Sequence, residues 1–159
     1  MSPRLIRKPA AALLLSLALA GCSNSMNEPV QPVQPEPAVV LTTVEAAPTV
    51  VAAGSTVQLT LSVSNRGGSP VTLHFADTCQ LLYIVRDDGG VRVSGDFPCG
   101  AFPTDLTLQP NETVQKTFEW RTVRPQASGS IPLSSGEYWV QSFLSEHGYE
   151  SEPVSVRVE

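Results

Sequence analysis

Positive charge is scarce in this sequence. Its 159 residues carry ten Lys and Arg against fifteen Asp and Glu, and three of those ten, Arg4, Arg7 and Lys8, fall within the first eight positions. Removal of residues 1–21 leaves seven bases against fifteen acids, a formal charge of −8. A surface of that sign repels phosphate backbones and anionic headgroups, which disfavours nucleic-acid binding and argues against a polybasic grip on lipid. Also missing is any apolar run of the roughly 20 residues that a membrane-crossing helix needs. No stretch of ten or more residues repeats its apolar positions at the 3.6-residue helical spacing, which argues against an α-helical domain. The sequence has no H-E-x-x-H, Gly-rich phosphate loop, Walker sequence or nucleophile elbow, so neither an enzyme nor a cofactor is expected.

The first residues are of a different kind. Basic positions without an acid precede the uncharged apolar run Ala10–Ala20, the two parts of a secretory signal peptide. That run ends in Leu19-Ala20-Gly21-Cys22, which resembles the bacterial lipobox. The resemblance implies cleavage before Cys22 and a diacylglycerol on its thiol, so residues 1–21 are predicted to be removed. Residues 22–38 then hold the lipidated cysteine and a tether rich in Pro29, Pro32, Pro35 and Pro37. Extended proline-rich chain spans about 3.1 Å per residue, enough for sixteen residues to reach roughly 50 Å from a lipid surface. Ser23 rather than Asp after the cysteine resembles the outer-membrane sorting pattern of enterobacterial lipoproteins. A domain at residues 39–159 remains, long enough to bury its own core.

With Cys22 assigned to lipid, Cys79 and Cys99 form the one remaining pair in an oxidising compartment, and a disulfide between them is expected. Zinc on His74, Cys79, Cys99 and His147 is the competing use, but the short paired spacings of structural zinc sites are absent. No metal site is therefore assigned.

The body reads as strands. Val57, Leu59, Leu61 and Val63 alternate with Gln58, Thr60, Ser62 and Ser64, and after the turn residues Asn65 to Pro70 the alternation resumes at Val71, Leu73 and Phe75. These two runs make either a hairpin or a crossing between sheets. Leu81 to Val85 is apolar on both faces, as in a central strand, and Asp87-Asp88-Gly89-Gly90 turns it into Val91-Arg92-Val93. Leu106 and Leu108 precede the turn Gln109 to Glu112. Val114, Phe118 and Trp120 then share a face that Lys116 interrupts, which places Lys116 near a sheet edge. Gly136 to Leu144 and Val154 to Val158 complete the pattern, and Arg124 to Ser135 reads as a long connection. The expectation is an all-β, antiparallel β-sandwich of seven to nine strands with one disulfide. An antibody-type domain is disfavoured because Trp120 follows both cysteines, and a lipocalin-like barrel because the strands are too short.

The order LTLSVSN, SPVTLHF, YIVRDDGGVRV, LTLQPNETVQKTFEW and SSGEYWVQSFL, from about Val44 to Val158, resembles the BsuPI-type intracellular proteinase inhibitor domain. That resemblance implies an immunoglobulin-like sandwich and a protein partner, with a protease as its expected identity. It transfers no inhibitory residue to these positions. The signal peptide, the lipobox and the cystine depart from an intracellular inhibitor and put any target outside the cytoplasm.

Gly95 to Pro103 is the strongest candidate for binding. Asp96, Phe97, Pro98, Gly100, Ala101 and Phe102 surround the expected cystine, and a loop so constrained loses little entropy on meeting a partner. The alternative is that Phe97 and Phe102 cap the core. Asp87 and Asp88 read as turn residues rather than a calcium loop, and His74 and His147 as solvated side chains. Sugar binding would need aromatics along one groove, for which Trp139 and Phe143 are the candidates. The functional expectation is a membrane-tethered, non-enzymatic envelope module that binds a protein. A structural or accessory envelope lipoprotein is the alternative.

Overall fold

The computed structural model describes residues 37–159. The predicted signal peptide, Cys22 and all of the tether but its last two residues lie outside the described residues. Those described belong to the second of the chain's two compact units, Gln34–Glu159.

The described residues form eleven strands: β1 (Val40–Ala47), β2 (Val50–Val51), β3 (Thr56–Asn65), β4 (Val71–Phe75), β5 (Leu81–Asp87), β6 (Thr104–Leu108), β7 (Thr113–Arg121), β8 (Val123–Gln126), β9 (Gly129–Pro132), β10 (Gly136–Leu144) and β11 (Val154–Val158). One sheet has the order β1-β3-β7 and the other β2-β11-β10-β5, with two further pairs, β4-β6 and β8-β9. All pairings are antiparallel except β2 with β11. The all-β sandwich with its disulfide is therefore as expected from the sequence, with more strands and one parallel pairing.

The period-2 pattern explains the core. Val57, Leu59, Leu61 and Val63 of β3 are fully buried and face Tyr83, Val85, Tyr138, Val140, Val156 and Val158 of the second sheet. At about 25 cal/mol per Å² of apolar area removed from water, side chains of this size contribute about 1.5–3 kcal/mol each. Trp120 joins this core from β7 beside Tyr138. The Tyr138 hydroxyl donates to the Ser134 carbonyl at 2.9 Å, the tyrosine-corner bond of immunoglobulin-like sandwiches.

β7 is the end strand of its sheet, and Lys116 pairs in register with inward-facing Leu61. Its side chain stays exposed, with the ammonium 5.3 Å from the Phe118 ring centroid. An inward-phase charge on an end strand discourages pairing with another chain.

Of the two arrangements open to the β3 and β4 runs, the structure has the crossing between sheets, because β4 pairs with β6. Three expectations need correcting. β5 is an end strand of the four-stranded sheet rather than a central one. Val91-Arg92-Val93 forms only an isolated bridge to Arg86, yet it shields that end, with the Val93 amide on the Val85 carbonyl at 2.8 Å. Arg124 to Ser135 contains the β8-β9 hairpin instead of an irregular connection.

The end of β3 is organised by Asn65, which is completely buried. Its side-chain oxygen accepts from the Val39 and Gly67 amides at 3.3 and 3.0 Å, and its side-chain nitrogen donates to the Ser69 and Leu108 carbonyls at 2.7 and 3.2 Å. Two acceptor sites and two donor hydrogens are the whole capacity of a carboxamide. One side chain thereby joins the start of β1, the β3-β4 turn and the end of β6. The Asn65 backbone also bonds Glu112 and Asn111 of the next turn. In that turn Pro110 precedes Asn111 at φ 62°, the glutamate side chain of Glu112 accepts from the Gln109 amide, and the chain reverses into β7. Gly67 is required by close approach, since a Cβ there would lie 2.0 Å from the Pro37 carbonyl oxygen.

Candidate functional site

At the opposite end of the β4-β6 pair, the chain after Phe75 and the chain before Thr104 run together. Asp77 accepts the Cys79 amide on its side chain at 2.7 Å, a local turn that sets Cys79 toward the incoming loop. The Cys79–Cys99 disulfide joins the two segments with Cα atoms 5.4 Å apart. Around it the Thr78 amide donates to the Gly100 carbonyl at 3.1 Å, the Gly100 amide to the Thr78 hydroxyl at 2.7 Å, and the Thr104 hydroxyl to the Asp77 carbonyl at 2.7 Å. A Cβ on Gly100 would come within 2.9 Å of the Phe102 ring and 3.2 Å of the Thr78 side chain, so a larger residue there would have to push the Phe102 ring aside. The loop is held by one covalent bond and a ring of short hydrogen bonds.

The loop treats its two aromatics differently. Phe97 turns inward and meets Tyr83 and Phe118 edge-on, with ring centroids 5.1 and 5.8 Å away. Burial in that cluster raises the pKa of Tyr83 above its ordinary value. Phe102 turns outward and is 60% exposed. Capping the core thus describes Phe97, and presentation to solvent describes Phe102. Asp96, Pro98 and Ala101 are exposed, and Gly100 is half-buried. Asp96 forms an ion pair with Arg92 at 3.2 Å, while the same guanidinium donates to the Gly95 carbonyl at 2.6 Å. A fixed backbone that presents one large apolar side chain to solvent is suited to filling a pocket on another protein.

The other candidates separate from this loop. The cystine sulfurs and an Asp77 carboxylate oxygen lie within 4.8 Å of one another, but sulfurs bonded to each other have no thiolate to give a metal. His74 is exposed and bonds Asp105 through Nδ1 at 2.7 Å. His147 is not the freely solvated residue expected: it is half-buried, packs edge-on against Phe75 at 4.8 Å, and its Nε2 bonds the His74 carbonyl at 2.8 Å. No hydroxyl is hydrogen-bonded to either imidazole among the described residues. Asp87 is a turn residue, accepting the Val91 amide at 2.8 Å, with Gly90 at φ 78° completing the reversal. Sequence reasoning missed Thr78 and Thr104 as the pins of the loop. The only available signal was the Asp-x-Cys turn.

The model of the BsuPI family, intracellular proteinase inhibitor, matches residues 44–149, about two thirds of the chain. The chain belongs to the BsuPI family. Its match begins within β1 and ends beyond β10, so it encloses both the Asn65 hub and the cystine loop. No curated protein matches the BsuPI chain in sequence. Among solved structures, a β-glucosidase of Erythrobacter marinus superposes with a TM-score of 0.50 at 12% identity, over 77% of this chain and 16% of that enzyme. An alkylpurine DNA glycosylase of Pseudomonas fluorescens gives 0.49 at 12% identity over 76% and 30%. The CARDB domain of a Pyrococcus furiosus protein gives 0.45 at 17% identity over 76% and 93%. The first of these shows a shared fold and nothing more, and this chain spans only a small part of that enzyme's length.

Proposed function

We propose that this BsuPI protein is a lipid-anchored, non-enzymatic binding module of the bacterial cell envelope, and that it acts on an extracytoplasmic protease by inserting its cystine loop. The observation that carries this reading is the exposed Phe102 on a backbone fixed by the Cys79–Cys99 bond. Family membership supports a protease as the partner. A preorganised loop spends little conformational entropy on docking, and a buried aromatic anchor is the usual centre of an interface. The lipobox at Cys22 supports action outside the cytoplasm, with Ser23 favouring the outer membrane. The proline-rich tether gives the domain reach from its anchor.

The test is inhibition of a panel of secreted and periplasmic proteases by the full-length protein and by Phe102→Ala. The expected result is a saturable complex that slows turnover and weakens at least tenfold in the variant. Absence of both complex and slowed turnover across the panel would replace inhibition with a structural or accessory envelope role. Mass spectrometry of the mature amino terminus checks the anchor: an acylated Cys22 is expected, and an unmodified or different terminus overturns it.

A further inference from the structure

Trp139 lies on the outer face of the four-stranded sheet, far in sequence from the cystine loop, and is 44% exposed. Tryptophan is highly buried on average, because its apolar area is the largest of any side chain. The other tryptophan of this chain, Trp120, follows that rule with 3% exposure. Trp139 lines an open depression of about 260 Å³ with Ile84, Arg86, Asp88, Gln141 and Pro153. Register explains the grouping: Trp139 pairs with Arg86 and Gln141 pairs with Ile84 across β5 and β10, so alternate residues of both strands point to this one face.

The polar groups around the ring are partly fixed and partly free. Arg86 donates to the Gly90 carbonyl through Nη1 at 3.1 Å, leaving its other N–H groups as donors. Gln141 spends both amide hydrogens, on Glu150 at 3.2 Å and on the Ser151 carbonyl at 2.9 Å, which leaves its side-chain oxygen as an acceptor. Asp88 is exposed and has no hydrogen bond or ion pair among the described residues. The site therefore offers a flat aromatic face, positioned donors and positioned acceptors.

Charge narrows the ligand. A cation over Trp139 would meet Arg86 beside it, and an anion would meet Asp88 and Asp87, the second of which also lines the depression and is already paired with Arg124 at 3.5 Å. A neutral ligand whose polar groups both donate and accept satisfies both neighbours. The volume is just below the ~300 Å³ of the smallest ordinary small-molecule sites, and the depression is open rather than enclosed. Those properties fit one ring of a longer chain lying across the surface.

We propose that Trp139 is the stacking platform of a carbohydrate-binding site for neutral polysaccharide chains, separate from the cystine loop. Arg86, Asp88 and Gln141 would bond the hydroxyls of the sugar ring stacked on the indole.

The test is titration of the full-length protein with cellohexaose and with chitohexaose, read by tryptophan fluorescence, in which the buried Trp120 provides a constant background. A saturable spectral shift with at least one sugar is expected, weakened at least tenfold in Trp139→Ala and about threefold in Asp88→Asn, as loss of a stacking face and of one hydrogen bond implies. Phe102→Ala should leave it unchanged, which keeps this site distinguishable from the protease reading. No saturable change with either hexasaccharide overturns the proposal, as does a change that survives in Trp139→Ala. A Trp139-dependent shift given by a proline-rich peptide and by neither sugar also overturns it and assigns the face to protein.

Discussion

The two ends of the β4-β6 pair solve the same problem by different chemistry. At one end two short turns and the start of β1 are held by a single buried carboxamide, Asn65, with every donor and acceptor satisfied by backbone. At the other a long connection is held by a covalent bond with hydrogen bonds around it, and it leaves Phe102 in solvent. The buried amide makes an end that is closed and cannot change without loss of the fold. The cystine makes an end whose backbone is fixed while its side chains stay free to vary. Val63-Ser64-Asn65 of the LTLSVSN segment and Leu108 to Glu112 of the LTLQPNETVQKTFEW segment lie at the first end and are structural. The second end is where a binding role can be carried without cost to the core.

That contrast can be broken most forcefully at Asn65. Asn65→Ala strands two backbone amides and two carbonyls in a buried setting, and urea denaturation should show a loss of about 4 kcal/mol, since each unsatisfied buried group costs about 1–3 kcal/mol. A loss below about 1 kcal/mol would mean that this end is held by something else. Cys79→Ser/Cys99→Ser should cost about 3 kcal/mol, the chain-entropy value for a loop of this length. The same double variant should become sensitive to proteolysis within residues 95–103 while the β1-β3-β7 sheet keeps its amide protection in hydrogen exchange.

Alkaline titration addresses the core between the two ends. The pKa values of Tyr83 and Tyr138 are raised above 10.0, Tyr83 by burial and Tyr138 by burial first, with Asp87 and Asp88 adding repulsion and Arg124 opposing them. Because the folded-state values lie above the unfolded ones, the stability linked to these groups is complete below pH 10 and is lost as pH rises through the folded values. Phenolate absorbance of the folded protein should therefore lag behind that of the urea-unfolded chain, and melting temperature should fall above pH 10. Coincident titration curves would show that neither ring is shielded. The smallest effect on stability belongs to Phe102→Ala, expected within about 0.5 kcal/mol because the ring is exposed. A larger loss would mean that Phe102 supports the loop instead of serving a partner.

Much of the fold could be read from alternation alone, because β3, β4 and β11 place apolar residues on one face in period two, and β10 does so apart from Ser142 inside and Trp139 and Phe143 on the other face. β1 was hidden because Thr42 is buried while Leu41 is exposed, which inverts the polarity that the pattern depends on. β8 and β9 were hidden because none of their residues is fully buried, so there was no alternation to detect. The disulfide could be read by counting cysteines. The opposite fates of Phe97 and Phe102 could not, since both lie among the same prolines and glycines and only the position of Tyr83 and Phe118 decides which ring turns inward.

The Asn65 hub also sets how the domain bears load. The chain enters the sandwich at Val39, whose amide is bonded to Asn65 and whose carbonyl takes the Arg66 amide at 2.7 Å. A force applied at residue 37 would be received by β1, which is paired with β3 along its whole length. Pulling along that strand loads its eight paired residues together rather than one after another. The cystine loop lies beyond the far end of β4, a strand of five residues or roughly 17 Å. Val39 and the Phe102 tip therefore lie toward opposite ends of the β4-β6 pair, so a pull at one reaches the other only through the paired strands.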